Sequence, residues 1–119
     1  MLNRVLSALM ERESLRQAAM IDDMGRLLAG VTEPGQAPEA ARHIPLLVAA
    51  LEAQQQLGLG ELHEVWTEGE ERTLLDLITP YRVLILQGQV GRLGRWRHSV
   101  DHLRSALAHA RVSEVNHHV

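Results

Sequence analysis

Residues 81–110, YRVLILQGQVGRLGRWRHSVDHLRSALAHA, decide the fold. The run VLIL at residues 83–86 is apolar without polar alternation, which is typical of a central strand covered on both faces. Residues 88–91 contain two glycines and interrupt this run. Apolar side chains then recur at steps of three and four, which predicts a long amphipathic helix. Its buried seam consists of Leu93, Trp96, Val100, Leu103, Leu107 and Ala110.

The composition is that of one folded domain. The chain has 119 residues, of which 45% are hydrophobic and 23% are charged, and its net charge is −3. These values argue against disorder and against a strongly basic nucleic-acid binder. We expect a single domain at residues 1–112 and a flexible tail at residues 113–119. The absence of cysteine excludes disulfides, thiolate metal sites and a cysteine nucleophile.

The sequence also predicts where the protein resides. No apolar run approaches the roughly 18 residues that a membrane span requires. The N-terminus begins an amphipathic pattern and lacks the apolar core of a signal peptide. We therefore expect a soluble, cytoplasmic protein.

Alternating helical and strand patterns extend along the rest of the chain. The turn Asp22-Asp23-Met24-Gly25 joins two strands, and its aspartates favour a turn over a metal site because they bond their own backbone. The elements are helices at residues 2–10, 39–57 and 93–110 and strands at residues 15–21, 26–31, 61–67, 72–78 and 83–86. The order α-β-β-α-β-β-β-α predicts an α+β fold, with a five-stranded antiparallel sheet between helices.

The middle helix is apolar nearly all round. Pro45 fits best in a first turn, so the regular helix begins near His43 or Ile44, and Gly58 is a suitable C-terminal cap. Residues 46–51, LLVAAL, leave no polar face for solvent. A helix of this kind is buried on two sides. We expect one side to pack on the sheet and the other to pack on a second subunit.

Three motifs carry a resemblance to a known family. They are LGLGEL at residues 57–62 after the middle helix, VLIL at residues 83–86 before VGRL at residues 90–93, and the turn at residues 22–25. With the order of elements, they resemble the Roadblock family, which includes Roadblock-type dynein light chains and bacterial regulators of Ras-like GTPases. The resemblance implies a Roadblock/profilin-like sheet with the first and last helices on one face and the middle helix on the other.

The resemblance further implies a homodimer in which the third strand pairs with its own copy and the middle helices meet. We therefore predict a dimer interface that contains Leu47, Leu51, Leu62, Val65 and Trp66. Such an interface would cap the unpaired backbone groups of an edge strand.

Family members bind small GTPases or motor subunits, and some accelerate GTP hydrolysis by positioning the GTPase's own groups. The resemblance thus implies a non-enzymatic regulator or scaffold without a cofactor, which binds a small Ras-like GTPase and modulates its GTPase cycle or placement. Arg42 is a weak candidate for an arginine finger, and a solvated arginine is the simpler interpretation.

Three histidines lie on one side of the last helix, opposite its apolar seam. His98, His102 and His109 fall within about 40° of one another at 100° per residue. The four-residue spacing of His98 and His102 suits two metal ligands, but no carboxylate completes the set. We favour a pH-responsive surface stripe and keep His98 and His102 as a weak metal candidate.

Two other functions remain open. The last helix is locally basic, which suggests a weak nucleic-acid-binding module, although its arginines can equally pair with the acidic region at residues 61–76. The basic residues are Arg92, Arg95, Arg97, Arg104 and Arg111. The same architecture also serves small-ligand sensors, which need a pocket with convergent polar groups that the sequence does not indicate.

Overall fold

The computed structural model describes residues 1–89 and 93–112. The elements follow the predicted order, with one short 3-10 helix at Ala41–His43 before the middle helix. Their bounds are α1 Leu2–Glu13, β1 Gln17–Ile21, β2 Leu27–Thr32, α2 Ile44–Leu57, β3 Glu64–Glu68, β4 Glu71–Thr79, β5 Arg82–Gln89 and α3 Leu93–His109. Within these described ranges, no helix is both long and apolar enough to cross a membrane.

The five strands form one antiparallel sheet in the order β2-β1-β5-β4-β3. β5 lies at its centre and residues 83–86 are all buried, which confirms the prediction from the apolar run. Because strand side chains alternate, Leu84 and Leu86 point to one face of the sheet and Val83 and Ile85 to the other. β2 and β3 are the two edge strands.

The helices cover opposite faces of the sheet as predicted. Leu6 of α1 and Val100 of α3 share one buried cluster with Leu74 and other residues of the sheet. On the other face, Leu47 of α2 packs against a smaller cluster that includes Ile85. The α3 seam is also confirmed, since all six of its residues belong to the first cluster or pack against it.

The β1–β2 turn has the predicted aspartate geometry. Asp22 Oδ1 accepts hydrogen bonds from the backbone N–H groups of Met24 (2.9 Å) and Arg26 (2.8 Å), and Oδ2 accepts one from Arg26 Nε (2.9 Å). Gly25 has a φ of 83°, which glycine adopts at little cost. Burial opposes ionisation of Asp22, but these hydrogen bonds prevail and hold the pKa of its carboxyl below the ordinary value.

Helix α1 is longer than its apolar stripe predicts. It continues past Met10 to Glu13 and ends at Ser14, whose φ is 53°. The side chain of Glu13 is only 5% exposed, accepts a hydrogen bond from the Ser99 hydroxyl and lies 3.4 Å from Arg95 Nε. Contacts of a polar residue with α3 therefore extend the helix, and apolar periodicity cannot reveal them.

The third strand starts later than predicted. β3 begins at Glu64, so Leu62 precedes the strand instead of belonging to it. Gly58 and Gly60 both have positive φ, and the chain between them and Glu64 is irregular. His63 still contributes to the sheet, because its carbonyl accepts a hydrogen bond from the N–H of Leu77 (2.9 Å).

Two other strands have ends that differ from the predicted ones. The strand predicted at residues 15–21 starts two residues later: β1 begins at Gln17, and Leu15 joins the cluster under α1. β5 also continues through Gly88, which pairs with Arg72, so the strand does not end at residue 88. The second half of the predicted interruption at residues 88–91 and the tail at residues 113–119 lie outside the described residues.

Candidate interaction site on the second helix and third strand

Helix α2 exposes much of its apolar surface. Within the described chain none of its residues is buried, although residues 46–51 are all aliphatic. Ile44, Leu46 and Leu47 are partly covered by the sheet, while Val48 is 46% exposed and Leu51 is 38% exposed. One side of the helix therefore packs on the sheet as predicted, and the opposite side has no cover within this chain.

A cleft of about 910 Å³ opens between α2 and the sheet. Its apolar wall includes Leu47 and Leu51 of α2 and Leu77 and Val83 of the sheet, and Leu62 also lines it. Carboxylates surround the apolar surface, namely Asp22, Asp23, Glu61 and Asp76. An apolar cleft with a few polar groups at its margin is the usual form of a binding site.

The edge strand β3 presents different side chains to the two faces of the sheet. Val65 opposes Leu75 and contacts the cluster under α2. Trp66 opposes Leu74 on the other face and is 43% exposed. The guanidinium of Arg72 lies 5.7 Å from the ring centroid of Trp66 and equally far from that of Trp96, within cation–π range.

The five residues predicted for the dimer interface thus fall into two groups. Leu47, Leu51, Leu62 and Val65 lie on the α2 side of the sheet, where three of them line the cleft. Trp66 lies on the side of α3. This set remains a prediction.

Arg42, the weak finger candidate, lies in the 3-10 helix before α2. Its side chain is 52% exposed, and its Nε lies 3.8 Å from Glu39 Oε1. The arginine also lines a small polar pocket apart from the α2 cleft.

The histidine stripe is exposed on α3, as expected for a surface stripe. The rings of His98 and His102 are stacked with centroids 6.4 Å apart, and His109 Nδ1 lies 3.0 Å from the Ser105 carbonyl. Among residues 1–89 and 93–112, no group of three or more potential ligands could hold a metal ion.

Most of the described arginines of α3 are paired with carboxylates. Arg104 donates two 3.0 Å hydrogen bonds to Asp76 and two, of 2.8 and 3.3 Å, to Asp101. Hydrogen bonding to Asp76 is the main cause of the raised pKa of Arg104, and burial opposes it. Arg97 pairs with Glu64 of β3. These contacts confirm the expected pairing with the acidic strand region, and they remove much of the basic surface that suggested nucleic-acid binding.

A row of polar side chains crosses all five strands on the α2 face. One residue from each strand stands opposite its neighbours in register, namely Thr32, Gln17, Gln87, Thr73 and Thr67. The adjacent row on this face carries no polar side chain and consists of Gly30, Ala19, Ile85, Leu75 and Val65. Sequence reasoning missed the polar row because its members come from five separate segments.

His43 covers this row at the start of α2. It is 8% exposed, and no described group hydrogen-bonds its Nε2. Burial lowers the pKa of His43 and the charge of Arg42 adds to this effect, while the nearby Gln87 side chain acts in the opposite direction.

Comparison with solved structures identifies the architecture. A structure described as MglB with tetrameric arrangement superposes with a TM-score of 0.74 at 24% identity, over 90% of this chain and 85% of that chain. The Roadblock/LC7 domain from Streptomyces avermitilis gives 0.70 at 15% identity, over 89% and 93%. Acanthamoeba castellanii profilin IB gives 0.59 at 18% identity, over 90% and 96%. No protein-family model and no curated protein matches the sequence.

Identities this low show a common fold and leave function open, because one fold can serve unrelated functions. The match to profilin illustrates the point, since a protein of a different name superposes over 90% of this chain. The comparison confirms the structural part of the resemblance found in the sequence. The chain therefore has a Roadblock-type fold.

Proposed function

We propose that this chain is a non-enzymatic, cytoplasmic homodimer that binds a small Ras-like GTPase and modulates its GTPase cycle or placement. Residues 1–112 form its single domain. The observation that carries the dimer is α2, an apolar helix without a buried residue in the described chain, which lies on the same side of the sheet as Val65 of the edge strand. The GTPase partner rests on the Roadblock resemblance.

The edge strand β3 is suited to pairing with its own copy. Charged side chains on an edge normally discourage pairing, and β3 carries Glu64 and Glu68. Both carboxylates are already paired, Glu64 with Arg97 and Glu68 with Arg72. Two copies of β3 can therefore approach without bringing unpaired like charges together.

Pairing of β3 with its copy would make an isologous contact around a two-fold axis. It would join two five-stranded sheets into one and place the two α2 helices on the same side. Leu47, Leu51 and Val65 would then lose solvent exposure together. This burial supplies the second cover that the apolar α2 requires.

Substitution of Val65 by aspartate tests the dimer. A carboxylate at the centre of the proposed interface would be desolvated without a partner, so we expect the dimer dissociation constant to rise by at least about tenfold. Light scattering at low micromolar concentration measures the mass. Because a similar structure is described in a tetrameric arrangement, the same measurement should also distinguish a dimer from a tetramer.

Leu27→Asp is the matched control, because Leu27 is 48% exposed on the opposite edge strand. It should leave the mass unchanged. An unaltered dimer in Val65→Asp would show that β3 is not the interface, and a monomeric parent protein would refute the homodimer.

Affinity capture from a cell lysate, once with a GTP analogue and once with GDP, tests whether the chain binds a GTPase. We expect a small Ras-like GTPase to be retained in one nucleotide state, and its hydrolysis rate should change when the purified pair is mixed. Equal retention in both states would favour a scaffold over a regulator of the cycle. Absence of any GTPase from both captures would contradict this part of the proposal.

A further inference from the structure

We infer that a pocket lined partly by the polar row is a second binding site, which accepts a small zwitterion such as a free amino acid. The site is a pocket of about 420 Å³ beside the 3-10 helix and the β3–β4 hairpin. It has no described lining residue in common with the α2 cleft. The inference does not rest on the proposed dimer or GTPase, although one lining residue, Thr67, lies on the same edge strand β3.

Three of the five residues of the polar row line the pocket, namely Thr67, Thr73 and Gln87. The other two residues of the row are hydrogen-bonded within the chain. Gln17 exchanges hydrogen bonds of 2.6 and 2.8 Å with the backbone of Glu39, and the Thr32 hydroxyl donates to the Arg16 carbonyl at 3.3 Å. Thr67 and Thr73 differ, because no hydrogen bond in the described part of the chain uses their side chains. Their hydroxyl groups remain available for a ligand.

His43 forms part of the wall and supports the same conclusion. Buried polar atoms in proteins almost always have a hydrogen-bond partner, and an unpaired one is unfavourable. His43 Nε2 is buried and unpaired among the described residues. The wall of this pocket thus keeps a hydrogen-bonding capacity that the protein itself does not use.

The charges around the pocket have both signs. Glu71 is neutralised by Arg16, whose Nε lies 2.7 Å from its Oε2. The remaining charged groups of the lining are Arg42 and Glu70, and both are exposed. Arg42 Nε lies 3.8 Å from Glu39 Oε1, beyond hydrogen-bond distance, so the N–H donors of its guanidinium stay open to a ligand. A guanidinium suits a carboxylate and a carboxylate suits an ammonium group, so this pair matches the two charges of an amino acid.

The lining also argues against apolar ligands. As described, it contains no Trp, Tyr, Phe or aliphatic side chain. Apolar ligands need an apolar wall, which this lining does not provide. A small molecule that is polar on all sides remains as the ligand that fits.

Thermal unfolding of the full chain with each of the twenty standard L-amino acids, at millimolar concentration, tests the inference. We expect at least one to raise Tm and to shift the imidazole NMR signals of His43. In titration calorimetry, Thr73→Val and Arg42→Gln should each weaken binding by about tenfold, because each removes a ligand contact. The matched controls Thr32→Val, in the same row, and Arg4→Gln, on α1, should bind as the parent does.

Three results would overturn the inference. The first is that no amino acid changes Tm or the His43 signals. The second is that Thr73→Val and Arg42→Gln bind as tightly as their controls. The third is that the methyl ester and the N-acetyl form of the bound amino acid bind as tightly as the parent compound, because neither keeps both charges.

Discussion

At the residue scale, the burial of His43 makes the stability of the fold depend on pH. The folded protein holds this ring at 8% exposure beside Arg42, and both circumstances disfavour the imidazolium. The pKa of His43 is consequently lower in the folded state than its ordinary value of 6.5. The unfolded chain therefore takes up a proton at this ring at a higher pH than the folded chain does.

This difference predicts a loss of stability in acid. Above pH 6.5 His43 is neutral in both states, and as the pH falls below 6.5 protonation favours the unfolded chain. We expect His43→Gln to remove part of the decline in unfolding free energy between neutral and mildly acidic pH, as measured by urea denaturation. His98→Gln, at an exposed site, is the control. Parallel pH profiles for the parent and His43→Gln would contradict this assignment.

At the element scale, the loop after β2 passes so close to Gly30 that this position has no room for a side chain. A Cβ built on Gly30 of β2 would lie 2.5 Å from Pro38 Cβ, which real atoms do not tolerate. The loop can therefore cross β2 at this distance only because residue 30 has no side chain. This contact helps to place Glu39 beside Gln17 and the 3-10 helix above the polar row.

Gly30→Ala should accordingly destabilise the fold. Displacement of the loop by the added methyl group should cost about 1–3 kcal/mol of unfolding free energy, measured by chemical denaturation. Gly69→Ala should have little effect, because no described atom lies within 4 Å of the added Cβ. Combination with Pro38→Gly should recover part of the loss, and a double variant no more stable than Gly30→Ala would point to another cause.

At the scale of the whole molecule, the two helical layers have unequal roles. The layer of α1 and α3 supplies fully buried side chains such as Leu6 and Leu107. The layer of α2 supplies none within the described chain, and Leu51 is 38% exposed. We interpret the first layer as the source of stability and the second as an interaction surface.

Two leucine-to-alanine variants should separate these roles. Leu6→Ala should lower the unfolding free energy by about 2–5 kcal/mol, because it leaves a cavity in the core. Leu51→Ala should change the stability of the monomer by less than about 1 kcal/mol and weaken the proposed dimer. Chemical denaturation of the Val65→Asp variant, with and without each change, measures the effect on the unfolding free energy of the monomer alone. If Leu51→Ala lowered the unfolding free energy of this variant more than Leu6→Ala did, the α2 layer would be the source of stability instead.

The sequence by itself determined which segments form helices and strands, the aspartate turn at residues 22–25, the central position of β5 and the two-sided apolar character of α2. These features depend on neighbours one to four residues apart, so periodicity and turn chemistry reveal them. The fold class followed from their order, and the Roadblock resemblance agreed with it.

The tertiary structure alone decided the register that aligns residues 17, 32, 67, 73 and 87 in one polar row. It also paired Glu64 with Arg97 and extended α1 to Glu13. The physical reason is distance along the chain: a strand's own pattern shows which side chains share a face, but not which residue of another strand stands opposite. That choice depends on packing and charge contacts between distant segments, and the polar row beside His43 arises from it.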